Sequence, residues 1–293
     1  MSVEPTTRAA AAAGTVDLGD LTVNRLGFGA MRITGKGVWG EPSDREEAKR
    51  VLRRAVELGV NLIDTANSYG PEVSENLIAE ALHPYPEALV IATKGGLTRP
   101  GPGEWRRDAR PEALREALEG SLRRLRVDRI DVYQLHSVDA TVPLEESLGA
   151  LAELQGEGKI RHIGLSNVDP RQLAQARAVV DVVSVQNRYN LGDRHSESVI
   201  EASEREGIAF LPWFPLNVGA LATAGGKLAE VAASHRATQA QVALAWLLRR
   251  SPAIAPIPGT SSVEHLEENV GAAALELTDA EFADLSHSAG AGL

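Results

Sequence analysis

One pattern limits what this chain can fold into. From residue 26 onward, short apolar runs that end at turn residues alternate with longer stretches whose apolar side chains recur at helical spacing. The runs fall at 26–31, 61–64, 89–94, 130–136, 159–167, 182–187, 209–213 and 253–259. Between them, Ser43-Asp44-Arg45-Glu46 reads as a capping box for a helix with Val51, Leu52, Ala55, Val56 and Leu58 on one face. A helix over 74–82 follows. Pro111 opens one striped with Leu114, Leu118, Leu122 and Leu125, and Pro143 opens another striped with Leu144, Leu148, Leu151 and Leu154. Asp169-Pro170 caps the next, and Thr278 with Glu281 caps the last. Ahead of the alternation, residues 16–18 and 21–23 flank Gly19-Asp20 and predict a small hairpin. Strand-helix units repeated in this way predict an α/β fold, a (β/α)8 TIM barrel with an N-terminal β-hairpin. The barrel is expected over 15–293, after a frayed tail at 1–14. A doubly wound sheet is disfavoured, because the turn from Gly27 to Arg32 has only two of the glycines that a dinucleotide fingerprint needs.

Composition narrows the function. With 43% hydrophobic and 24% charged residues, and no apolar run near the roughly 20 residues that span a bilayer, the sequence predicts a soluble protein without a membrane partner. Zero cysteines exclude disulfides, thiolate catalysis and cysteine-ligated zinc, and cytoplasm is the default compartment. A formal charge of −10 argues against a nucleic-acid surface. The seven histidines are scattered, so no metal site is expected.

The carboxyl ends of barrel strands share one face. Asp64, Lys94 and His136 end the second, third and fourth runs, and Tyr69 follows Asp64 in the next loop, so four titratable groups are expected to converge. A free phenol with a pKa of ~10 is a weak acid at neutral pH. One ammonium at ~4 Å and an effective dielectric of ~20 favours phenolate by about 4 kcal/mol, before desolvation opposes it. Asp64 would hold that ammonium charged, and His136 could hydrogen-bond the oxygen that Tyr69 protonates. Such a set polarises a carbonyl and needs a hydride from elsewhere. Lys94 also admits a second reading, a Schiff-base lyase or aldolase, although pairing with Asp64 opposes a neutral amine.

These residues sit in longer motifs. Leu26-Gly27-Phe28-Gly29, Asp64-Thr65-Ala66-Asn67-Ser68-Tyr69-Gly70, Thr93-Lys94, Leu135-His136, Ile163-Gly164-Leu165-Ser166-Asn167, Val185-Gln186-Asn187-Arg188-Tyr189-Asn190 and Ile257-Pro258-Gly259-Thr260 with Glu268-Asn269 together resemble the aldo-keto reductases, over about residues 15 to 288. That resemblance implies a barrel that binds NADPH, with NADH possible, and reduces a small-molecule carbonyl substrate. Its catalytic tetrad maps onto Asp64, Tyr69, Lys94 and His136, with Tyr69 as proton donor. It implies that Ser166, Asn167 and Gln186 hold the nicotinamide carboxamide, beside Met31, Arg32 and Asp64, and that Trp213 stacks on the ring. Phe214, Pro215, Leu216, Gly219 and Leu221 fall in the segment that clasps the pyrophosphate. Pro258, Gly259, Thr260, His265, Glu268 and Asn269 fall at the adenosine end.

The chain departs from the family pattern in two places. Many members carry Lys or Arg after the strand-eight proline and on the following helix, where this chain has Gly259, Thr260, Ser261, Ser262 and His265, so NADPH preference rests on hydroxyls and amides. Trp213-Phe214-Pro215-Leu216-Asn217 replaces a common Tyr-Ser-Pro-Leu-Gly. Substrate choice is expected in the loops at 32–41, 97–108 and 216–226, with Trp39 and Trp105 as candidate walls. The motif style resembles bacterial reductases of small aldehydes and of pyridoxal. A monomer or weak homo-oligomer is expected, and a nicotinamide-binding sensor without turnover is a third reading.

Overall fold

The computed structural model describes residues 9–223 and 225–288. Strands β1 (Thr15–Leu18) and β2 (Leu21–Asn24) form the antiparallel hairpin, with Val16 opposite Val23. The alternation then follows in order: β3 (Phe28–Gly29), α1 (Arg45–Glu57), β4 (Leu62–Asp64), α2 (Val73–Leu82) and β5 (Val90–Gly95). A small excursion, β6 (Leu97–Thr98) paired with β7 (Arg106–Arg107), precedes α3 (Pro111–Leu125), β8 (Ile130–Leu135), α4 (Leu144–Gly156) and β9 (Ile160–Ser166). Next come α5 (Pro170–Arg177), β10 (Val182–Gln186), α6 (Glu197–Glu206) and β11 (Ala209–Phe210). The chain ends in four helices, α7 (Gly226–His235), α8 (Gln239–Arg250), α9 (Val263–Gly271) and α10 (Asp279–Ser288). Parallel neighbours run β3-β4-β5-β8-β9-β10-β11, a curled sheet with helices outside it.

The eighth position is where structure and expectation part. Residues 253–259 lie between β11 and β3 but form only half of a ladder. Phe210 N donates to Ala253 O (2.8 Å) and Ala255 N to Phe210 O (2.9 Å) on one side. On the other, Gly27 N donates to Pro256 O (3.0 Å) and Gly29 N to Pro258 O (3.3 Å). Both prolines lack the N–H that would bond back to β3, so the barrel closes through carbonyls and no regular strand forms.

Other boundaries move as well: the first run is a strand only at Phe28–Gly29 and the seventh only at Ala209–Phe210. The cap of α1 is Asp44, whose side chain accepts from Glu47 N at 2.8 Å, one residue later than the Ser43 box predicts. The frayed tail expected over 1–14 lies outside the described residues at positions 1–8, while Ala9–Ala13 form a 3-10 helix with Ala10 buried and its N–H bonded to Leu58 O. The capping boxes at Asp169 and at Thr278 with Glu281 form as the sequence predicts. No helix among the described residues is long and apolar enough to cross a membrane.

A strand's period of two sorts its side chains into two cores. Leu62, Val90, Ala92, Val132, Ala209, Leu211, Ala255 and Ile257 fill the barrel interior, together with Leu18 and Val23 from the hairpin. Ile63, Ile91, Tyr133, Leu135, Ile163 and Phe210 belong to the outer core, with Val51, Leu52 and Ala55 of α1 and the leucine stripes of α3 and α4. Each such side chain, fully buried, contributes about 1.5–3 kcal/mol. A buried carboxylate interrupts the outer layer. Glu75 of α2 is fully buried and accepts from Thr93 Oγ1 (2.6 Å) and Arg124 Nε (2.7 Å), tying α2 and α3 to the strand that carries Lys94.

Candidate active site

The same period of two builds the site. Two residues beyond Leu62 is Asp64, two beyond Ala92 is Lys94, and two beyond Val132 is Gln134, so apolar filling gives way to polar groups at the carboxyl end of the barrel. A carboxylate and an ammonium with 2% and 0% exposure must be paired. Lys94 Nζ donates to Asp64 Oδ1 (2.6 Å) and to the Thr65 carbonyl (2.7 Å), and reaches the Tyr69 hydroxyl at 3.5 Å. Asp64 Oδ2 accepts from Gln134 Nε2 (3.0 Å) and Gln186 Nε2 (2.8 Å). Every oxygen of the carboxylate therefore has a donor, which is the condition under which a buried ion pair is tolerated. His136 stands beside Tyr69, ring centroids 5.9 Å apart, with Nδ1 3.5 Å from Ser68 Oγ.

The electrostatics differ from the sequence expectation in one respect. Burial pushes the Tyr69 phenol above its ordinary value, and Lys94 offsets only part of that. The phenol therefore stays a proton donor rather than an acidified one, because burial outweighs the Lys94 charge and the Asp64 charge adds to it. Burial disfavours the Lys94 ammonium, yet Asp64, Tyr69 and their hydrogen bonds outweigh it and hold the amine charged. Burial and the Lys94 charge together keep His136 well below its usual value, so its imidazole is neutral.

Tyr69 and His136 open on a cavity of about 850 Å³. It brings together Met31, Arg32, Asp64, Ser166, Asn167, Gln186, Trp213, Phe214, Pro215, Leu216 and Gly219 with Pro258, Gly259, Thr260, His265, Glu268 and Asn269. Two of the expected catalytic and cofactor residues are not on its wall. Leu221 turns into the hydrophobic core and is 2% exposed, and Lys94 lies behind Asp64 and Tyr69. Among the described residues, no three His, Asp or Glu side chains are grouped to hold a metal ion.

A chain of bonds fixes the rim next to His136. Ser166 Oγ donates to the Gln186 carbonyl (2.8 Å), Asn167 Nδ2 to the His136 carbonyl (3.0 Å), and the Trp213 indole to Asn167 Oδ1 (3.1 Å). Asn217, which the sequence left without a role, has φ +48°, a left-handed conformation that Asn tolerates, and its side chain accepts from Arg188 Nη2 (3.2 Å). Gly259 has a packing reason, because a Cβ there would overlap the Gly29 carbonyl oxygen across the barrel seam. Beyond it, Ser262 caps α9 by accepting from His265 N (3.4 Å), which leaves a helix N-terminus facing the cavity's far end.

The two candidate tryptophans separate. Trp105 lines the cavity, and Trp39 does not. Sequence reading missed Gln134, which closes the Asp64 hydrogen-bond set, and Arg99, which lies between the two tryptophans. A polar residue at an inward position of an apolar run was the available signal for Gln134. Nothing local pointed to Arg99.

Comparison with known proteins gives the family. The sequence model described as the aldo/keto reductase family matches residues 25–289. A Schizosaccharomyces pombe protein described as an uncharacterized oxidoreductase is 52% identical, over 94% of this chain and 90% of its own. The pyridoxine 4-dehydrogenase of Escherichia coli is 47% identical, over 90% of this chain and 94% of its own. Among solved structures, an aldo/keto reductase from Klebsiella pneumoniae in complex with NADP and acetate superposes with a TM-score of 0.81 at 27% identity, over 94% of each chain.

Proposed function

Because the chain belongs to the aldo/keto reductase family, we propose that it reduces an aldehyde or ketone to an alcohol with NADPH, and that pyridoxal is its substrate. The observation that carries the reading is that Tyr69 and His136 open on one cavity, with Asp64 at its wall, while Lys94 stays fully buried behind Asp64 and Tyr69. Pyridoxal is chosen because the Escherichia coli relative is named for oxidation of pyridoxine, the alcohol of that aldehyde.

The cavity suits a nicotinamide dinucleotide at both ends. Ser166, Asn167, Gln186 and Trp213 offer amide, hydroxyl and aromatic groups next to Tyr69, and Met31, Arg32 and residues 214–219 line the middle. Thr260, His265, Glu268 and Asn269 surround the α9 N-terminus, whose amides favour a phosphate. Bound NADPH would supply hydride to the carbonyl carbon. Tyr69 gives its proton to the carbonyl oxygen, and the Lys94 ammonium stabilises the phenolate that remains. His136, neutral, hydrogen-bonds the same oxygen and carries no competing charge. Asp64 keeps Lys94 charged and in place. The Schiff-base reading loses ground on the same facts, since Lys94 is charged and off the cavity wall.

The test is pyridoxal-dependent NADPH oxidation by wild type and Tyr69→Phe. Loss of one proton donor should lower the rate by about 10²–10⁴-fold with NADPH affinity kept. Equal rates would remove Tyr69 from its role. Tight NADPH binding without turnover across a broad carbonyl panel would point instead to a sensor.

A further inference from the structure

We infer that Arg99 is a positioning residue: it clamps the 35–40 and 97–107 loops into one wall, and that wall presents Trp105 so that the site prefers planar aromatic aldehydes over short aliphatic ones. The inference rests on the oxidoreductase reading above and names its substrate class.

Arg99 is 8% exposed, although it belongs to a surface loop. Its guanidinium lies 3.8 Å from the centroid of the Trp105 ring and 5.5 Å from that of Trp39. Its nitrogens donate to three carbonyls, Glu104 O (2.9 Å), Val38 O (2.8 Å) and Gly37 O (3.3 Å). One cation thus joins two loops through both hydrogen bonds and ring faces, the combination for which a planar guanidinium is suited and an ammonium is not.

A second observation concerns the backbone that Arg99 holds. Val38 has φ +59°, an outlier for a β-branched residue, and such strain persists only where the surroundings hold it. Two groups hold it here, since the Val38 carbonyl accepts from Arg99 and also from Gly70 N (3.3 Å), next to Tyr69. The strained residue lines the cavity, as do Gly37 and Trp105.

What the wall presents is an aromatic edge and face. Trp105 is 41% exposed, and its ring packs edge-on against both Tyr69 and His136, with centroids 6.5 Å from each. The other ionisable cavity residues, Arg32, His265 and Glu268, lie with the Gly29–Gly259 seam and α9. Near Tyr69 the lining ionisable groups are Asp64, already paired, and the neutral His136. An aromatic surface without a spare charge favours a flat ring of no net charge beside the reacting carbonyl.

The experiment compares benzaldehyde and propanal as substrates for wild type, Arg99→Met and Trp105→Leu, with amide hydrogen exchange followed in parallel. In Arg99→Met the KM for benzaldehyde should rise about tenfold, the scale of one desolvated cation–π contact, while kcat and KM for propanal stay put. Exchange should quicken at 35–40 and 97–107 and nowhere else. Trp105→Leu should lose the same preference, and its substitution at an exposed site keeps the test open should Arg99→Met fold poorly. A benzaldehyde-to-propanal ratio unmoved in both variants overturns the substrate preference, and unchanged exchange in Arg99→Met overturns the clamp. A wild type inert to both aldehydes overturns the oxidoreductase reading instead, and exchange alone then decides whether Arg99 clamps.

Discussion

The two ends of the cavity are built on opposite principles. At the Asp64 end, an ion pair is sealed in the barrel mouth and each carboxylate oxygen is bonded before any ligand arrives. At the α9 end, Gly259, Ser261 and His265 are exposed, and the hydroxyls of Thr260 and Ser262 serve the local turn and cap. The first end therefore couples chemistry to folding, since removing one partner leaves a buried charge. The second offers dipoles and hydroxyls whose value is realised only on binding, so changes there should alter affinity and little else.

Lys94→Met tests the first half of that contrast with the largest expected effect. It strands Asp64 in the barrel mouth with two amide donors and no cation, and breaking a buried pair in this way costs about 3–5 kcal/mol. In a chain of this size that is a fall in Tm on the order of 10 °C, together with loss of carbonyl reduction. Adding Asp64→Asn should restore part of the stability and none of the activity. A single variant that unfolds within about 1 kcal/mol of wild type would mean that the pair is not coupled to the fold.

A smaller effect follows from His136. Its folded pKa lies well below the ordinary 6.5, so between those values the unfolded chain binds a proton that the native site refuses. Stability is therefore lost as pH falls below about 6.5, by up to ~1.4 kcal/mol per pH unit for one proton. Denaturant midpoints measured from about pH 7 down to about pH 5 should decline in wild type and flatten in His136→Asn, because carboxylates near ~4 contribute mainly below that range. Parallel slopes would show that His136 is solvated rather than sealed beside Lys94.

The contrast between the ends also explains what the sequence could reveal. Asp64, Lys94 and His136 were legible because each closes an apolar run, and strand ends in a barrel share a face whatever the loops do. Ser166, Gln186 and Trp213 lie at run ends by the same rule, but it was the resemblance to the aldo-keto reductases that gave them roles. Gln134 was hidden inside a run read as apolar, although its inward register alongside Val132 made it the natural partner for Asp64. Arg99 could not be found, since its three carbonyl partners and two ring contacts come from loops whose meeting no local pattern records. The phenol's acidity was misjudged for a related reason. Charge separation can be guessed from strand order, whereas the degree of burial that opposes it depends on packing around the whole mouth. At the barrel seam, Pro256 and Pro258 lack the donors of a full ladder, so an apolar run that contains them closes the barrel as a half-ladder.

His265→Ala probes the open end and should have the smallest effect. The residue is exposed and its backbone, not its ring, accepts the help of the Ser262 cap, so the substitution leaves the N-terminus of α9 intact. Only a side chain at the rim is lost, worth about 0.3–1 kcal/mol toward a phosphate at a helix N-terminus. The KM for NADPH should rise by no more than about fivefold at low salt, and less at physiological salt, where an exposed contact is screened. Tm and kcat should not move. A tenfold or larger change, or one that survives high salt, would mean that His265 is enclosed once the cofactor is bound, and that the open end closes over its ligand as tightly as the Asp64 end is closed beforehand.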